Sequence, residues 1–205
     1  METRNRNVVL AAAVGLLLAA VPGAARAVPG PAGQIRATID NVIEILKRPD
    51  LKSGARSEQR RELLRRQIAP AFDFEEMSKR SLGLEWRNRT PEEREAFVRL
   101  FTQLLENAYL GKIESYRGET ISYLRETIDP PYGVVHTVVV TSRGQEIPID
   151  YRMLQEGDRW RIYDLTIEGV SLVGNYRSQF NAILRKSSFP EMMDRLRDTI
   201  RKQES

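Results

Sequence analysis

Cysteine is absent from the 205-residue chain, which excludes disulfides, thiol catalysis and the acylated cysteine of a lipoprotein. Histidine occurs once, at His136 in VVHTVVV. A zinc site would therefore need mostly carboxylate ligands, unlike structural zinc centres, and a Ser-His-Asp triad would have to use that one residue. No GxSxG elbow accompanies it, and neither GxGxxG nor a GxxxxGKS/T phosphate loop occurs, which argues against serine hydrolases and against nucleotide-binding folds. His136 is expected to be structural and no metal or catalytic residue is assigned. Beyond residue 27 no apolar run is long enough for a membrane-spanning helix.

Charge of one sign is also lacking. The formal net charge of +4 shrinks once the first 27 residues are set aside, because Arg4, Arg6 and Arg26 lie there against Glu2. The remainder carries nearly balanced charge, which gives no basis for a nucleic-acid partner. A basic cluster at Arg60, Arg61, Arg65 and Arg66 is interleaved with Glu58 and Glu62 and is expected to be a solvated helix face with i to i+4 pairs.

What is present begins with a leader. Arg4 and Arg6 precede an uncharged run from Val8 to Val21, then Pro22 and Gly23, and Ala25 and Ala27 fit a signal peptidase site. The reading is a cleaved signal peptide over residues 1–27, export to the periplasm and a new start at Val28. Residues 28–33, VPGPAG, read as a flexible tether, residues 34–201 as one folded domain and 202–205 as a tail.

Within that domain apolar residues first recur at helical spacing. Ile35, Ile39, Val42, Ile43 and Leu46 predict a helix over Gln34 to Lys47, and a second is predicted from Ser57 to Ile68, stopped by Pro70. FDFEEMSKRSLG (Phe72 to Gly83) predicts a short helix. Thr90, Pro91 and Glu93 form a capping-box start for the longest one, with Phe97, Leu100, Phe101, Leu104, Leu105 and Ala108 inward. From Gly118 the period becomes alternating. Strands are predicted near Thr120–Arg125, Val134–Thr141, Ile147–Leu154 and Trp160–Ile167, the third with Ile147, Ile149, Tyr151 and Met153 on one face and Asp150 and Arg152 on the other. Helical spacing returns at Leu172–Leu184 and Pro190–Arg201. The fold class is therefore α+β: a curved four-stranded antiparallel sheet with helices packed on one face.

Most carboxylates have a structural reading; Glu75, Glu76, Glu92 and Glu93 sit in first turns of helices. Asp150 and Asp164 lie within strands and are expected to pair with Arg152 or Arg161. An enzyme on a cone-shaped α+β fold of the nuclear-transport-factor-like type, with Asp150 or Asp164 as base, is the alternative.

The run WRIYDLTIEGVSLVGNYRSQF (Trp160 to Phe180) resembles the signature of the MlaC family of phospholipid-binding, ABC-transporter auxiliary proteins, also known as toluene-tolerance proteins. FDFEEMSKRSLG, WRNRTPEE (Trp86 to Glu93) and PIDYRM (Pro148 to Met153) follow the same family order, so the likeness spans Gln34 to Arg201. The double proline Pro130–Pro131 departs from it, where a short polar turn is expected.

The resemblance implies a monomeric, non-enzymatic carrier without cofactor whose cargo is a phospholipid. It also implies shuttling between an outer-membrane lipoprotein/porin complex and an inner-membrane ABC transporter bearing an MCE-domain ring, with only transient membrane contact. A hopanoid-associated branch of the family shares the pattern. The expected apolar pocket lies between sheet and helices. Its sheet wall is Ile149, Tyr151, Met153, Trp160 and Ile162; its helix wall is Phe101, Leu105, Tyr109, Val170, Leu172, Val173, Tyr176 and Phe180. A glutamate at Val173 or Met153 is expected to leave a folded protein that carries no lipid.

Overall fold

The computed structural model describes residues 29–51 and 54–204; the leader at residues 1–27 lies outside them. Helix α1 spans Pro31–Lys47. It starts inside the segment read as a tether because Pro31 lies in the first turn, where a missing N–H costs nothing. Helix α2 is Ser57–Ile68, and Pro70 follows in a 3-10 turn. Helix α3, Phe74–Leu82, is capped by the Asp73 carboxylate, which accepts the Glu76 N–H at 2.9 Å. Helix α4 runs from Pro91 to Glu114 behind a complete Thr90–Glu93 capping box. It passes Gly111, whose cost in a helix is about 1 kcal/mol, because Leu110 and Ile113 on either side pack into a cluster with Leu46 and Leu64.

The sheet has five strands, not four: β1 Thr120–Asp129, β2 Tyr132–Val140, β3 Glu146–Glu156, β4 Arg159–Ile167 and β5 Val170–Ser171, antiparallel and in sequence order. The fifth is only two residues long and so carries no readable period. Glu168 and Gly169, both at positive φ (49° and 81°), turn the chain back so that Ile167 pairs with Val170. The first two strands outrun their predicted ends. The ladder continues to the Asp129–Tyr132 pair across a cis Pro130–Pro131 peptide. Helix α5, Leu172–Leu184, follows β5 directly, and α6, Phe189–Glu204, takes in residues 202–204 of the predicted tail.

Cross-strand register defines the faces. Val135, Tyr151 and Leu165 form one row of the inner face, Gly133, Met153 and Ile162 a second, and Tyr123, Thr137, Ile149 and Ile167 a third. His136 and Asp150 pair on the outer face, beside Arg152. Helix α1 covers part of the inner face, where Ile35 packs with Val135, Met153, Trp160 and Ile162. A separate helical core joins Met77, Phe97, Phe101, Leu105, Phe180 and Met192 from α3, α4, α5 and α6.

Gly133 is what lets Trp160 lie against β2. A Cβ there would stand 2.9 Å from the indole Cζ3 and 3.4 Å from Pro31. Gly133→Ala is expected to force the indole aside and lower stability by about 1–3 kcal/mol, read by thermal melting. An unchanged melt would show that the ring shifts freely.

Candidate functional site

The thirteen residues expected to line a pocket separate into groups. Met153, Trp160 and Ile162 are buried beneath α1. Phe101, Leu105, Leu172, Val173 and Phe180 are buried in the helical core, where Tyr176 stands edge-on to the Phe101 ring at 5.1 Å and stacks on Phe180 at 5.8 Å. Among the described residues, only Phe72 and Leu165 pack against both clusters. Val170 stands apart, 61% exposed at the β5 turn. Met153 (1% exposed) and Val173 (4%) are close-packed, so a glutamate at either is expected to unfold the chain rather than merely empty it.

The remaining residues define a seam. Ile149, Tyr151 and Ile167 on the inner face are only half-buried, as are Tyr109 and Tyr176 opposite. Helix α4 packs on α2, α3 and α6, and makes no comparable contact with the sheet among the described residues. Tyr151 retains accessible surface although burial, and then the Tyr123 phenol, push its pKa up to about 12 against a hydrogen bond from Thr137. Tyr151 thus shares with Ile149 and Ile167 an inner face that the helices cover only in part. Burial, followed by Tyr109, likewise pushes Tyr176 up to about 12. The Tyr123 hydroxyl is buried with no hydrogen-bond partner.

Sequence reasoning missed Phe72, Tyr123 and Leu165 as site residues, and missed the role of α1. Leu165 shares the face of Tyr151 only because a register shift between Arg152 and Met153 resets the alternation of β4, which no sequence pattern reports.

The carboxylates are placed differently from expectation. Asp150 accepts from or donates to neither arginine; its Oδ1 meets His136 Nδ1 at 2.8 Å on the outer face. Asp164 caps α5, accepting the Val173 N–H at 3.0 Å and the Ser171 hydroxyl at 2.6 Å. The positive helix end answers that charge without an arginine. Arg161 is engaged elsewhere, donating to the Phe72 carbonyl at 2.9 Å and to Glu156 at 2.9 Å. The basic cluster on α2 is also only partly a solvated face, since Arg60 and Arg61 reach across to Glu114 of α4. No group of side chains suited to a metal ion occurs among the described residues.

A seam between a half-covered sheet and helices is a fold feature that can be compared with known proteins. The family model described as MlaC protein matches residues 36–198. The chain belongs to the MlaC family. Two relatives are more distant in sequence. The intermembrane phospholipid transport system binding protein MlaC of Haemophilus influenzae is 21% identical over 68% of this chain and 67% of its own length. A toluene tolerance protein of Pseudomonas putida is 22% identical over 84% of this chain and 81% of its own. The solved structure of a phospholipid-binding protein from Ralstonia solanacearum, in complex with a phospholipid, superposes with a TM-score of 0.78 at 24% identity. It covers 86% of this chain and all of that one. At that identity the likeness establishes the fold.

Two outcomes follow from this geometry. Asp164→Asn keeps one acceptor for α5 but loses the charge, and should cost about 1–2 kcal/mol in thermal melting; an unchanged melt would mean that Ser171 alone caps the helix. The tyrosines give a pH dependence. A phenol whose folded pKa lies near 12, above about 10 unfolded, stabilises the fold below pH 10, and that contribution is lost as pH rises towards 12. Tyrosinate absorbance should therefore show protonated phenols persisting past pH 11 in the folded chain, and Tyr151→Phe with Tyr176→Phe should remove most of the late fraction.

Proposed function

We propose that this MlaC-family chain is a lipid carrier that holds the acyl chains of a phospholipid in the seam between the sheet and helices α4 and α5, and does no chemistry on them. The observation that carries the reading is the incomplete cover of the inner sheet face, where Ile149, Tyr151 and Ile167 stay half-buried while α4 packs on α2, α3 and α6 and not on the sheet. Two acyl chains of roughly 30 methylenes would lose on the order of 24 kcal/mol if bared to water. A carrier must therefore enclose them, and a wall of half-buried Ile149, Ile167, Tyr109 and Tyr176 supplies apolar surface on both sides.

The relatives named for phospholipid transport and phospholipid binding support this cargo. The leader pattern of residues 1–27 supports export to the periplasm, and no helix among the described residues is long and apolar enough to cross a membrane. In this reading the chain shuttles between the outer membrane and an inner-membrane ABC transporter with an MCE-domain ring. The enzyme alternative loses support from the acids themselves. Asp150 lies on the face opposite the seam, and both Asp164 oxygens are engaged at the start of α5.

The test places charges on the wall and in the packed core. Ile149→Glu and Tyr109→Glu should melt near the unaltered chain yet yield no lipid to mass spectrometry of an organic extract, because water entering the emptied seam solvates the new carboxylate. Met153→Glu should lose the fold. Unaltered lipid content in both wall variants would place the cargo elsewhere.

A further inference from the structure

Two buried hydroxyls lack a hydrogen-bond partner among the described residues, those of Ser78 and Tyr123. Ser78, fully buried on α3, belongs to the helical layer. Tyr123 stands on the inner sheet face. Its cross-strand row runs Tyr123, Thr137, Ile149, Ile167, so it shares a row with two residues of the half-covered wall.

A break in register puts it there. Strand β1 slips by one residue at Leu124, and beyond the slip Glu126 rather than Arg125 faces inward. Tyr123 and Glu126 thereby both face α1. Glu126 accepts the Ala32 N–H at 3.0 Å, and the Arg36 guanidinium lies 3.9 Å from the centre of the Tyr123 ring. Bulges that re-aim a side chain recur beside functional sites.

The ring is accounted for by packing, but the oxygen is not. The ring lies against the sheet-face cluster and under Arg36, contacts that a phenylalanine would make as well. The hydroxyl adds a buried polar group, which lowers stability when it bonds to nothing. Its neighbour Thr137 gives its own proton to the Ile149 carbonyl at 2.9 Å. Burial pushes the Tyr123 phenol up, against Arg36 and aided by Asp40 of α1, so at neutral pH it remains an uncharged donor. What it lacks is an uncharged acceptor that enters an apolar layer. A phosphate is kept out of such a layer by desolvation, and methylene chains accept nothing. Between head and tails a diacyl lipid carries two ester carbonyls, which are strong neutral acceptors. A dialkyl lipid carries ether oxygens in their place, which accept more weakly.

We propose that the Tyr123 hydroxyl donates to an ester carbonyl of the bound lipid and so makes the seam select ester-linked over ether-linked chains. The proposal rests on the carrier reading above. Delipidated full-length chain is incubated with vesicles of equal diacyl and dialkyl phosphatidylcholine bearing the same chains, then re-isolated, and its lipid is extracted for mass spectrometry. The diacyl lipid should be enriched about fivefold, the worth of one neutral hydrogen bond. Tyr123→Phe should bring the two lipids to parity while total lipid stays unaltered. The circular dichroism melt of its delipidated form should stay level or rise, because an unbonded buried hydroxyl has gone. Equal uptake of both lipids by the unaltered chain, or a preference that survives Tyr123→Phe, overturns the ester contact and leaves the carrier standing; uptake of neither lipid overturns both. A delipidated Tyr123→Phe that melts lower shows the hydroxyl bonded within the chain and overturns the proposal. Palmitate that displaces the diacyl lipid from the unaltered chain, with an advantage lost in Tyr123→Phe, would assign the hydroxyl to a free acid and overturn the ester assignment.

Discussion

Helices α3 and α5 hang from one strand. The backbone N–H of Asp73 donates to the Ile162 carbonyl at 2.8 Å, Arg161 grips the Phe72 carbonyl, and Asp164 caps α5 two residues after β5 turns back. Each of these contacts is made by β4, and Leu165 of the same strand packs against both cores. A helical layer fastened along one strand does not have to close down on the rest of the sheet. Helix α4 is held by α2, α3 and α6 instead, and the inner face beyond the cover of α1 keeps its isoleucines half-buried.

A gap of that kind is costly in an empty protein and useful in a loaded one. Apolar surface left without neighbours forfeits the dispersion and burial that stabilise a filled core. The chain recovers its stability elsewhere, through a helical core of stacked and edge-on aromatic rings around Phe97, Phe101 and Phe180 and through Trp160 seated on Gly133. Those two clusters are packed from the chain's own side chains. On the carrier reading, the seam between them is free to match the interior of a bilayer, and lipid would exchange near balance.

Where periodicity governs, the elements were legible in the sequence. The Thr90-Pro91-Glu93 start of α4, the bounds of α2 and the alternation of Ile147 to Met153 all follow from local rules, because each is decided by residues within a turn or two. What was not legible depends on residues far apart in the chain. The split of the core needs α1 from one end of the sequence to lie on strands from the other, and the face of Leu165 depends on a register shift in β4. Asp164 was read as an arginine partner because strand neighbours were the only candidates visible; its actual partner, the start of α5, arrives by way of a two-residue strand that leaves no pattern. Met153 and Val173 looked like pocket wall for the same reason, since apolar spacing does not distinguish a side chain facing a gap from one facing another side chain.

Polarity is then distributed by depth. On the inner face the Thr137 hydroxyl is spent on the Ile149 carbonyl, and burial makes the phenols of Tyr123, Tyr151 and Tyr176 harder to ionise. The unpartnered Tyr123 hydroxyl can donate to one carbonyl oxygen without introducing a charge. Fixed charge stands at the margin of that layer, where the Arg36 guanidinium of α1 lies 3.9 Å from the centre of the Tyr123 ring and Arg60 and Arg61 pair with Glu114 between α2 and α4. On the carrier reading, such an interior accepts acyl tails and turns a charged head group outward, because desolvating a phosphate among Ile149, Ile167 and Tyr176 costs more than any contact there returns.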